Sequence, residues 1–490
     1  MKDHRTVFVS TAIPFVNAAP HVGFALEVVL ADAIARHYRT RGRDVCFSSG
    51  TDDHSLKNVR AAEAAGVPTS EFVERAASQF ERLGQVLGAS YDEFIRTSVD
   101  PRHAPIVTAF WNACAARGDL EKRSYRGLYC AGCEQFVEDA GVCPEHGTPP
   151  DIVEEENWFF LLSRYRERIH AALTNGTIRI HPPERANEIL RLVEKGLPDV
   201  SVSRSQTRAR GWGLPVPNDP SQVIYVWFDA LANYVTALGF DRWREAERRI
   251  HVVGKGIARF HAVLWPALLL AAELPLPTDL VVHGYVTVDG KKIGKSLGNA
   301  IDPSDLVGRF GRDALRAFLL RHVGPARDAD LTPARIASAY ESELADGLGN
   351  LVARTLALVR TALDGAIPCS RTEGIDASGD ALVAEARALD GKIDVALDRF
   401  AVDEALDAIF AVVAAANGHL ARTAPWALVK RRSEPDVDRL LVATLHAAVI
   451  AIEEVGRALA PFLPDTSARI AKVLETPGEV APVLFPKQRE

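Results

Sequence analysis

The stretch that decides the fold begins at Thr6-Val-Phe-Val-Ser-Thr-Ala12, an apolar run that predicts a buried strand. A turn containing Pro and Asn follows, and an apolar pattern of helical period covers residues 22–38 and ends near Gly42. Asp44-Val-Cys-Phe-Ser-Ser49 predicts a second strand. Strand, helix and strand in succession form a βαβ unit, which predicts a parallel sheet whose functional residues follow the carboxyl ends of its strands.

The rest of the chain divides by its patterning. The strand–helix alternation stops at an insertion, returns in the strand-like runs 223–228, 250–253 and 280–288, and gives way to long Ala/Leu/Val-rich helical patterns. Those patterns, over 338–363, 380–394, 402–422 and 434–463, predict an all-α bundle. The predicted domains are two halves of one α/β domain, an insertion between them, a linker region and a helical domain: 1–116 and 223–290, 117–222, 291–335, and 336–490.

Composition sets the class of protein. With 490 residues, 47% hydrophobic and 25% charged, the chain is expected to be a modular globular protein. No run approaches the ~18–20 uninterrupted apolar residues that a membrane span requires, and no signal-peptide core follows the N-terminus. A cytoplasmic protein is therefore predicted. The net charge of −7 argues against a nucleic-acid partner overall, although it does not exclude a local basic stripe.

Three of the six cysteines cluster in the insertion. Cys130-x-x-Cys133 followed by Cys143-x-x-His146 has the spacing of a zinc knuckle, in which each pair aims two ligands at one tetrahedral ion. All four positions are protein ligands, so the predicted zinc is structural, and it would fold the insertion. Two chance pairs of cytosolic thiols are the alternative.

His21-Val-Gly-Phe24 lies where the first strand turns into the helix, so the helix amides and His21 face the space that an anion would occupy. Gly23 would let a nucleotide approach the backbone, and a histidine can donate to an oxyanion at the α-phosphate. A helix-start histidine beside a packing glycine is the alternative.

Lys291-Lys-Ile-Gly-Lys-Ser296 follows a predicted strand and turn. Two lysines separated by two residues on a Gly-containing loop can close over pyrophosphate and supply point charges in the transition state. A solvated basic loop is the alternative for such a cluster taken alone.

Together these two motifs resemble the paired signatures of class I aminoacyl-tRNA synthetases, and within that class the chain resembles the methionyl-tRNA synthetases over nearly its whole length. Further matching stretches lie at 12–17, 50–54, 129–133, 226–230, 260–266 and 424–426. The resemblance implies a Rossmann-like catalytic domain split by a zinc-bearing connective insertion, followed by an α-helical anticodon-binding domain. It also implies ligation of L-methionine to tRNA(Met) through methionyl-adenylate, with ATP and magnesium.

The resemblance assigns the methionine side-chain pocket to Ile13, Trp227, Tyr234 and His261. A thioether is soft and apolar, so aromatic walls supply contact, while a hydroxyl and an imidazole can offer weak hydrogen bonds to sulfur. Asp52 matches the carboxylate that holds the substrate ammonium. Each aromatic residue taken alone is more often part of a core.

The nucleotide residues follow from the same resemblance. Catalytic roles fall to His21, Lys292 and Lys295, and ATP contacts to Gly23, Glu27, Gly254, Lys255 and Ser296. For Glu27 the alternative is a solvated residue on the helix face. His54 matches the neighbourhood of the active site without a definite role.

In the helical region, Asn350, Arg354 and Trp426 match the residues with which the family reads the CAU anticodon. Asn350 and Arg354 share one helix face, and a Trp supplies a stacking platform for an unstacked base. The alternatives are a helix–helix contact for the first two and a buried Trp for the third.

Three positions depart from the family pattern. Phe24 replaces the second histidine of the first motif, Gly294 replaces the serine of the lysine loop, and Gly256 replaces an aspartate. Phenylalanine cannot donate a hydrogen bond, so adenylate formation is expected to be slower or differently organised. The pattern indicates a divergent isoform, and the lack of the C-terminal module that dimerises some members favours a monomer.

Three rival functions remain open. The first is a paralogue that adenylates an amino acid for an acceptor other than tRNA. The second is a non-catalytic tRNA-binding protein, which Phe24 motivates. The third, a nucleotidylyltransferase that shares only the His-x-Gly turn, would need neither the zinc insertion nor the helical domain.

Overall fold

The computed structural model describes residues 6–130, 135–137, 141–142, 149–293, 301–325, 327–367 and 376–487. The chain forms two compact units. The first comprises Met1–Ala31 and Gly42–His283, and the second comprises Asp32–Arg41 and Gly284–Glu490.

The strands of the first unit, within the described residues, are β1 Val7–Thr11, β2 Val45–Thr51, β3 Glu93–Arg96, β4 Leu120–Cys130, β5 Gln135–Val137, β6 Asp151–Phe160, β7 Arg179–His181, β8 Val200–Ser201, β9 Ser203–Ser205, β10 Pro215–Val216, β11 Asp219–Ile224, β12 Arg248–Gly254 and β13 Asp279–His283. The helices that follow β1 are α1 Val22–Thr40, α2 Leu56–Ala65, α3 Thr69–Leu87, α4 His103–Ala116, α5 Arg166–Thr174, α6 Pro183–Lys195, α7 Gln206–Ala209, α8 Val226–Leu231, α9 Asn233–Leu238, α10 Phe240–Glu245 and α11 Trp265–Ala271. A 3-10 turn, Leu162–Tyr165, and a π-helical turn, Phe260–Leu264, complete the helical segments.

The central sheet of this unit has six strands in the order β3-β2-β1-β12-β13-β7, and every neighbouring pair is parallel. The apolar first strand lies at its centre, where Val9 pairs with Phe47 on one side and Ile250 on the other. All five residues of β1 are buried, because helices cover both faces of a parallel sheet. The predicted α/β class with a parallel sheet is confirmed.

The insertion contributes antiparallel sheets. One has the order β5-β4-β6-β8 and the other β10-β11-β9. Strand β7, which lies within the same stretch of sequence, instead joins the edge of the six-stranded sheet beside β13.

Two of the predicted strands differ from the structure. In residues 223–228 the strand ends at Ile224 and α8 begins at Val226, because a short run that is buried on every side has no periodicity to separate strand from helix. Residues 280–288 form two strands in different sheets, β13 and β14 (Val286–Val288), and Gly284 and Tyr285 separate them.

The second unit is mainly helical. Its described strands are β14, β15 Lys291–Lys292 and β16 Ala329–Asp330, which form one small sheet. Its helices are α12 Pro303–Phe310, α13 Arg312–Phe318, α14 Pro333–Ala339, α15 Asn350–Ala362, α16 Ala377–Arg387, α17 Leu389–Leu397, α18 Val402–Thr423, α19 Pro425–Val429, α20 Pro435–Ala458 and α21 Pro464–Glu475, with π-helical segments Leu319–Val323 and Tyr340–Gly349. The predicted helical bundle is confirmed.

One segment of the bundle, Val402–Val429, is long and apolar enough to cross a membrane by length and composition alone. Half of the apolar 18-residue stretch within this segment is buried inside the protein. The same composition is expected of a core helix in a bundle.

Candidate active site

The segments that follow β1 and β2 lie side by side at the carboxyl end of the sheet. The amide of Asp52 donates to the Pro14 carbonyl oxygen at 2.9 Å, and Phe15 and Asp52 form a parallel bridge. Asp52 is 2% exposed. Ile13, the preceding residue of the first segment, is half-buried. Two of the predicted methionine-binding residues are thus held on adjacent segments.

Aromatic rings form a wall beside these segments. The indole of Trp227 stacks on Phe260 with ring centroids 3.9 Å apart and planes 5° apart. Phe15 meets the Trp227 ring edge to face at 6.2 Å, and His261 does so at 6.3 Å. The structure therefore places Trp227 and His261 together, and Phe15 and Phe260 are wall residues to which the sequence analysis gave no separate role.

Tyr234 and His261 form a buried hydrogen-bonded pair. The Tyr234 hydroxyl lies 2.7 Å from Nε2 of His261, and Nδ1 of His261 lies 3.0 Å from the Ile257 carbonyl oxygen. Burial lowers the pKa of His261 to about 4, so the ring is neutral at physiological pH. Since a carbonyl oxygen only accepts, Nδ1 carries the proton and Nε2 accepts from the tyrosine. Both protons are thus engaged within the protein.

A buried carboxylate that the sequence analysis did not single out lies behind this wall. Asp229 is 0% exposed, and its two oxygens lie 2.6 Å from Nδ1 of His54 and 2.6 Å from Nε2 of His103. Burial would raise the pKa of Asp229, but the two histidines outweigh it and hold that pKa well below its usual range. Burial would likewise lower the pKa of His54, but Asp229 raises it.

His21 forms the start of α1. The amide of Gly23 donates to Nδ1 of His21 at 3.0 Å, and the amides of Phe24 and Ala25 donate to its carbonyl oxygen. His21 itself is exposed. A Cβ on residue 23 would lie 2.9 Å from Cε1 of His21, so glycine at this position leaves room for the histidine ring.

Phe24 faces the protein interior. It is 8% exposed and meets Phe80 of α3 edge to face at 5.2 Å. The position where the family motif has a histidine therefore contributes to core packing in this chain.

Glu27 is also buried rather than solvated, at 6% exposure. One of its oxygens accepts from the Ala12 amide at 2.9 Å, and the other lies 2.9 Å from Nε2 of His283. The His283 carbonyl oxygen in turn accepts from the Lys255 amide, beside Gly254 at the end of β12. The predicted nucleotide residues Glu27, Gly254 and Lys255 are thus linked through His283, a residue that the sequence analysis missed.

The lysine loop and the metal cluster lie largely outside the described residues. Lys292 pairs through its backbone with Thr287, while Gly294, Lys295 and Ser296 are not described. Cys130 is buried at the end of β4, and Cys133, Cys143 and His146 are outside the described residues. Within the described part of the chain, no three His, Cys, Asp or Glu side chains are grouped to hold a metal ion.

In the second unit, the predicted anticodon residues Asn350 and Arg354 lie one turn apart on α15, and Arg354 contacts the third, Trp426. Asn350 is the first residue of α15, and the guanidinium of Arg354, one turn further on, lies 4.7 Å from the Trp426 ring centroid. Trp426 is 42% exposed, so the alternative of a buried tryptophan is wrong. An exposed indole with a cation over one face is a suitable stacking surface for an unpaired base.

The strand ends of the parallel sheet carry a helix that begins at a histidine and an aromatic wall beside a buried carboxylate, and a helical unit with an exposed Arg–Trp pair follows in the chain. This organisation is expected of a class I aminoacyl-tRNA synthetase. The family model described as tRNA synthetases class I (M) matches residues 7–151 and 141–356. The chain belongs to this family.

Proteins with similar sequences over nearly the whole chain belong to one kind of class I enzyme, the methionine–tRNA ligases. The chain is 38% identical to methionine–tRNA ligase of Brucella suis, over 96% of the chain and 92% of the relative. It is also 38% identical to methionine–tRNA ligase of Thermotoga maritima, over 94% of the chain and 74% of the relative.

The solved structures agree. Mycobacterium tuberculosis methionyl-tRNA synthetase in complex with methionyl-adenylate matches with a TM-score of 0.90 and 36% identity, over 99% of this chain and 98% of that one. The free form of the same enzyme matches with a TM-score of 0.85 and 32% identity, over 99% of each chain.

Proposed function

We propose that this chain ligates L-methionine to tRNA(Met) at the expense of ATP. The methionine carboxylate attacks the α-phosphate of ATP, giving methionyl-adenylate and pyrophosphate, and the terminal adenosine of the tRNA then takes the methionyl group and releases AMP. The observation that carries this proposal is the match to the methionyl-adenylate complex of the M. tuberculosis enzyme at a TM-score of 0.90 over nearly all of both chains.

In this proposal the methionine lies between the Asp52 segment and the aromatic wall. Asp52 binds the ammonium, and Ile13, Trp227, Tyr234 and His261 surround the side chain. The proposal is supported by the contacts that bring Asp52 beside Pro14 and Phe15, and Phe15 beside Trp227. An aromatic wall beside the Asp52 carboxylate suits a ligand that is a thioether at one end and an ammonium at the other.

The nucleotide roles rest on the helix start and the lysine loop. His21 donates to the α-phosphate, Lys292 and Lys295 bind the leaving pyrophosphate with Ser296, and Gly23, Glu27, Gly254 and Lys255 line the nucleotide site. Magnesium would accompany the ATP phosphates and offset their charge. The exposed position of His21 at the amino end of α1 supports its role, since anions bind favourably at helix N-termini.

We further propose a structural zinc bound by Cys130, Cys133, Cys143 and His146. The burial of Cys130 at the end of β4 supports a ligand role over an exposed thiol. Metal analysis of the purified protein should find about one zinc per chain, as a closed four-ligand site requires. A Cys133→Ala variant with an unchanged zinc content would contradict the assignment.

For the tRNA, Asn350, Arg354 and Trp426 read the anticodon. We place the reaction in the cytoplasm. The exposed Arg354–Trp426 pair supports the contact with RNA.

The test is pyrophosphate exchange with purified protein and a panel of amino acids, followed by charging of tRNA with a CAU anticodon. Exchange with methionine but without charging would favour the paralogue with another acceptor, and no exchange with any amino acid would favour a non-catalytic tRNA-binding protein. Lys295→Ala should depress adenylate formation far more than methionine binding, because the loop acts on the departing phosphates. Equal losses in both would contradict that role.

A further inference from the structure

The His54–Asp229 contact joins the two halves of the proposed methionine site. His54 follows Asp52 by two residues, and Asp229 follows Trp227 by two residues on α8. The hydrogen bond between them is 2.6 Å long and is excluded from solvent, since the two side chains are 7% and 1% exposed.

Side chains from outside the segment donate hydrogen bonds to the backbone carbonyl oxygens of Asp52 and Asp53. Asn58 donates through Nδ2 to the carbonyl oxygens of Asp52 and Asp53 at 3.0 and 2.9 Å. Trp212 donates to the Asp53 carbonyl oxygen at 2.7 Å, and its ring meets His54 edge to face. Short strand-end segments without such contacts are usually mobile, so this segment is built to hold one position.

The contacts close a ring of three segments. The segment after β1 meets the segment after β2 through Pro14 and Asp52, and it meets α8 through Phe15 and Trp227. The His54–Asp229 bond supplies the third side, between the segment after β2 and α8. With this bond in place, the ammonium-binding carboxylate and the aromatic wall cannot shift independently.

We propose that the hydrogen bond from His54 to Asp229 is a positioning contact, which sets the Asp52 carboxylate at the distance from the aromatic wall that matches the ammonium and side chain of methionine. This inference rests on the proposed role of Asp52. The raised pKa of His54 and the lowered pKa of Asp229 agree with a charged pair, in which His54 is the donor. His103 lies on α4 and hydrogen-bonds the second oxygen of Asp229, which is not the oxygen that His54 contacts.

Matched substitutions separate positioning from simple support of the fold. Asparagine at position 54 can place an N–H close to the position of Nδ1, while glutamine carries its amide too far out to do so. His54→Gln should therefore weaken methionine binding on the order of tenfold while His54→Asn stays within a few-fold of the parent, with the KM for ATP unchanged in both. His103→Asn removes the bond to the other oxygen of the same carboxylate, and it should lower thermal stability without a matching loss of methionine affinity.

A double-mutant cycle with Asp52→Asn completes the test, with the methionine Kd measured by calorimetry. His54→Gln should add little to the effect of Asp52→Asn, because the carboxylate that it positions is already gone. If His54→Gln weakens binding equally in both backgrounds, or if His54→Asn and His103→Asn do the same, the positioning inference is wrong. If Asp52→Asn alone leaves the methionine Kd unchanged, the proposed ammonium role of Asp52 fails instead.

Discussion

The Tyr234–His261 pair allows a prediction with a definite sign and size. Tyr234→Phe removes the hydroxyl that donates to Nε2 of His261 and leaves that nitrogen buried without this donor, since His261 is 3% exposed. A buried polar atom left unpaired costs about 1–3 kcal/mol of unfolding free energy. His261→Phe leaves the tyrosine hydroxyl without its acceptor and should cost a similar amount. The Ile257 carbonyl oxygen keeps a hydrogen bond after that change, because it also accepts from the Phe260 amide at 3.0 Å.

The double variant should cost less than the two single variants together. In the double variant both polar partners are replaced by apolar rings, so no unpaired group remains. Its loss of unfolding free energy should therefore be about 1–3 kcal/mol smaller than the sum of the two single losses, and this difference is the coupling energy. Thermal melting of the four proteins measures the cycle, and methionine-dependent pyrophosphate exchange reports the consequence for the wall. Strict additivity of the two single losses, or no loss in either, would refute the assignment of a hydrogen-bonded neutral pair.

Three further predictions concern Phe24, His261 and Trp426. Phe24→His, which restores the family residue, should lower the melting temperature because an imidazole replaces the buried ring that meets Phe80 edge to face. The expected loss of unfolding free energy is about 2–4 kcal/mol. Phe24→Leu is the apolar control, and an unchanged melting temperature in Phe24→His would contradict a core role. The pKa of His261 is lowered from 6.5 to about 4 in the folded protein, so on acidification the unfolded chain takes up this proton at a higher pH than the folded chain does. As the pH falls between these two values, the free energy of unfolding of the parent should decrease by up to about 3 kcal/mol more than that of His261→Phe. Trp426→Ala should raise the KM for tRNA by roughly 5- to 150-fold and leave pyrophosphate exchange unchanged, since base–aromatic stacking contributes ~1–3 kcal/mol; equal losses in both assays would exclude an anticodon role.

Local pattern was enough to predict the frame of the molecule. The central strands, the first helix and the bundle each carry a periodicity or an apolar run that determines their burial, and α1 begins at Val22, where the sequence places it. The same reasoning placed a strand over residues 223–228, where Trp227 in fact lies on a helix, because burial on every side removes the alternation that distinguishes the two.

Contacts between distant residues were beyond such reasoning. Asp229 meets His54 and His103 from 175 and 126 residues away, and His283 meets Glu27 across 256 residues. A buried histidine has no signature in its own neighbourhood, since its state depends on partners that only the fold brings close. The one available signal was that Asp229 and His54 both lie in stretches that match the family.

The central claim is that this chain attaches methionine to tRNA, and formation of labelled methionyl-tRNA with a CAU anticodon tests it most directly. With ATP, magnesium and each of the twenty amino acids in turn, charging should be confined to methionine and should disappear when the anticodon is changed. Charging with a different amino acid, or none under conditions where a homologous methionine–tRNA ligase charges the same tRNA fully, would contradict the account.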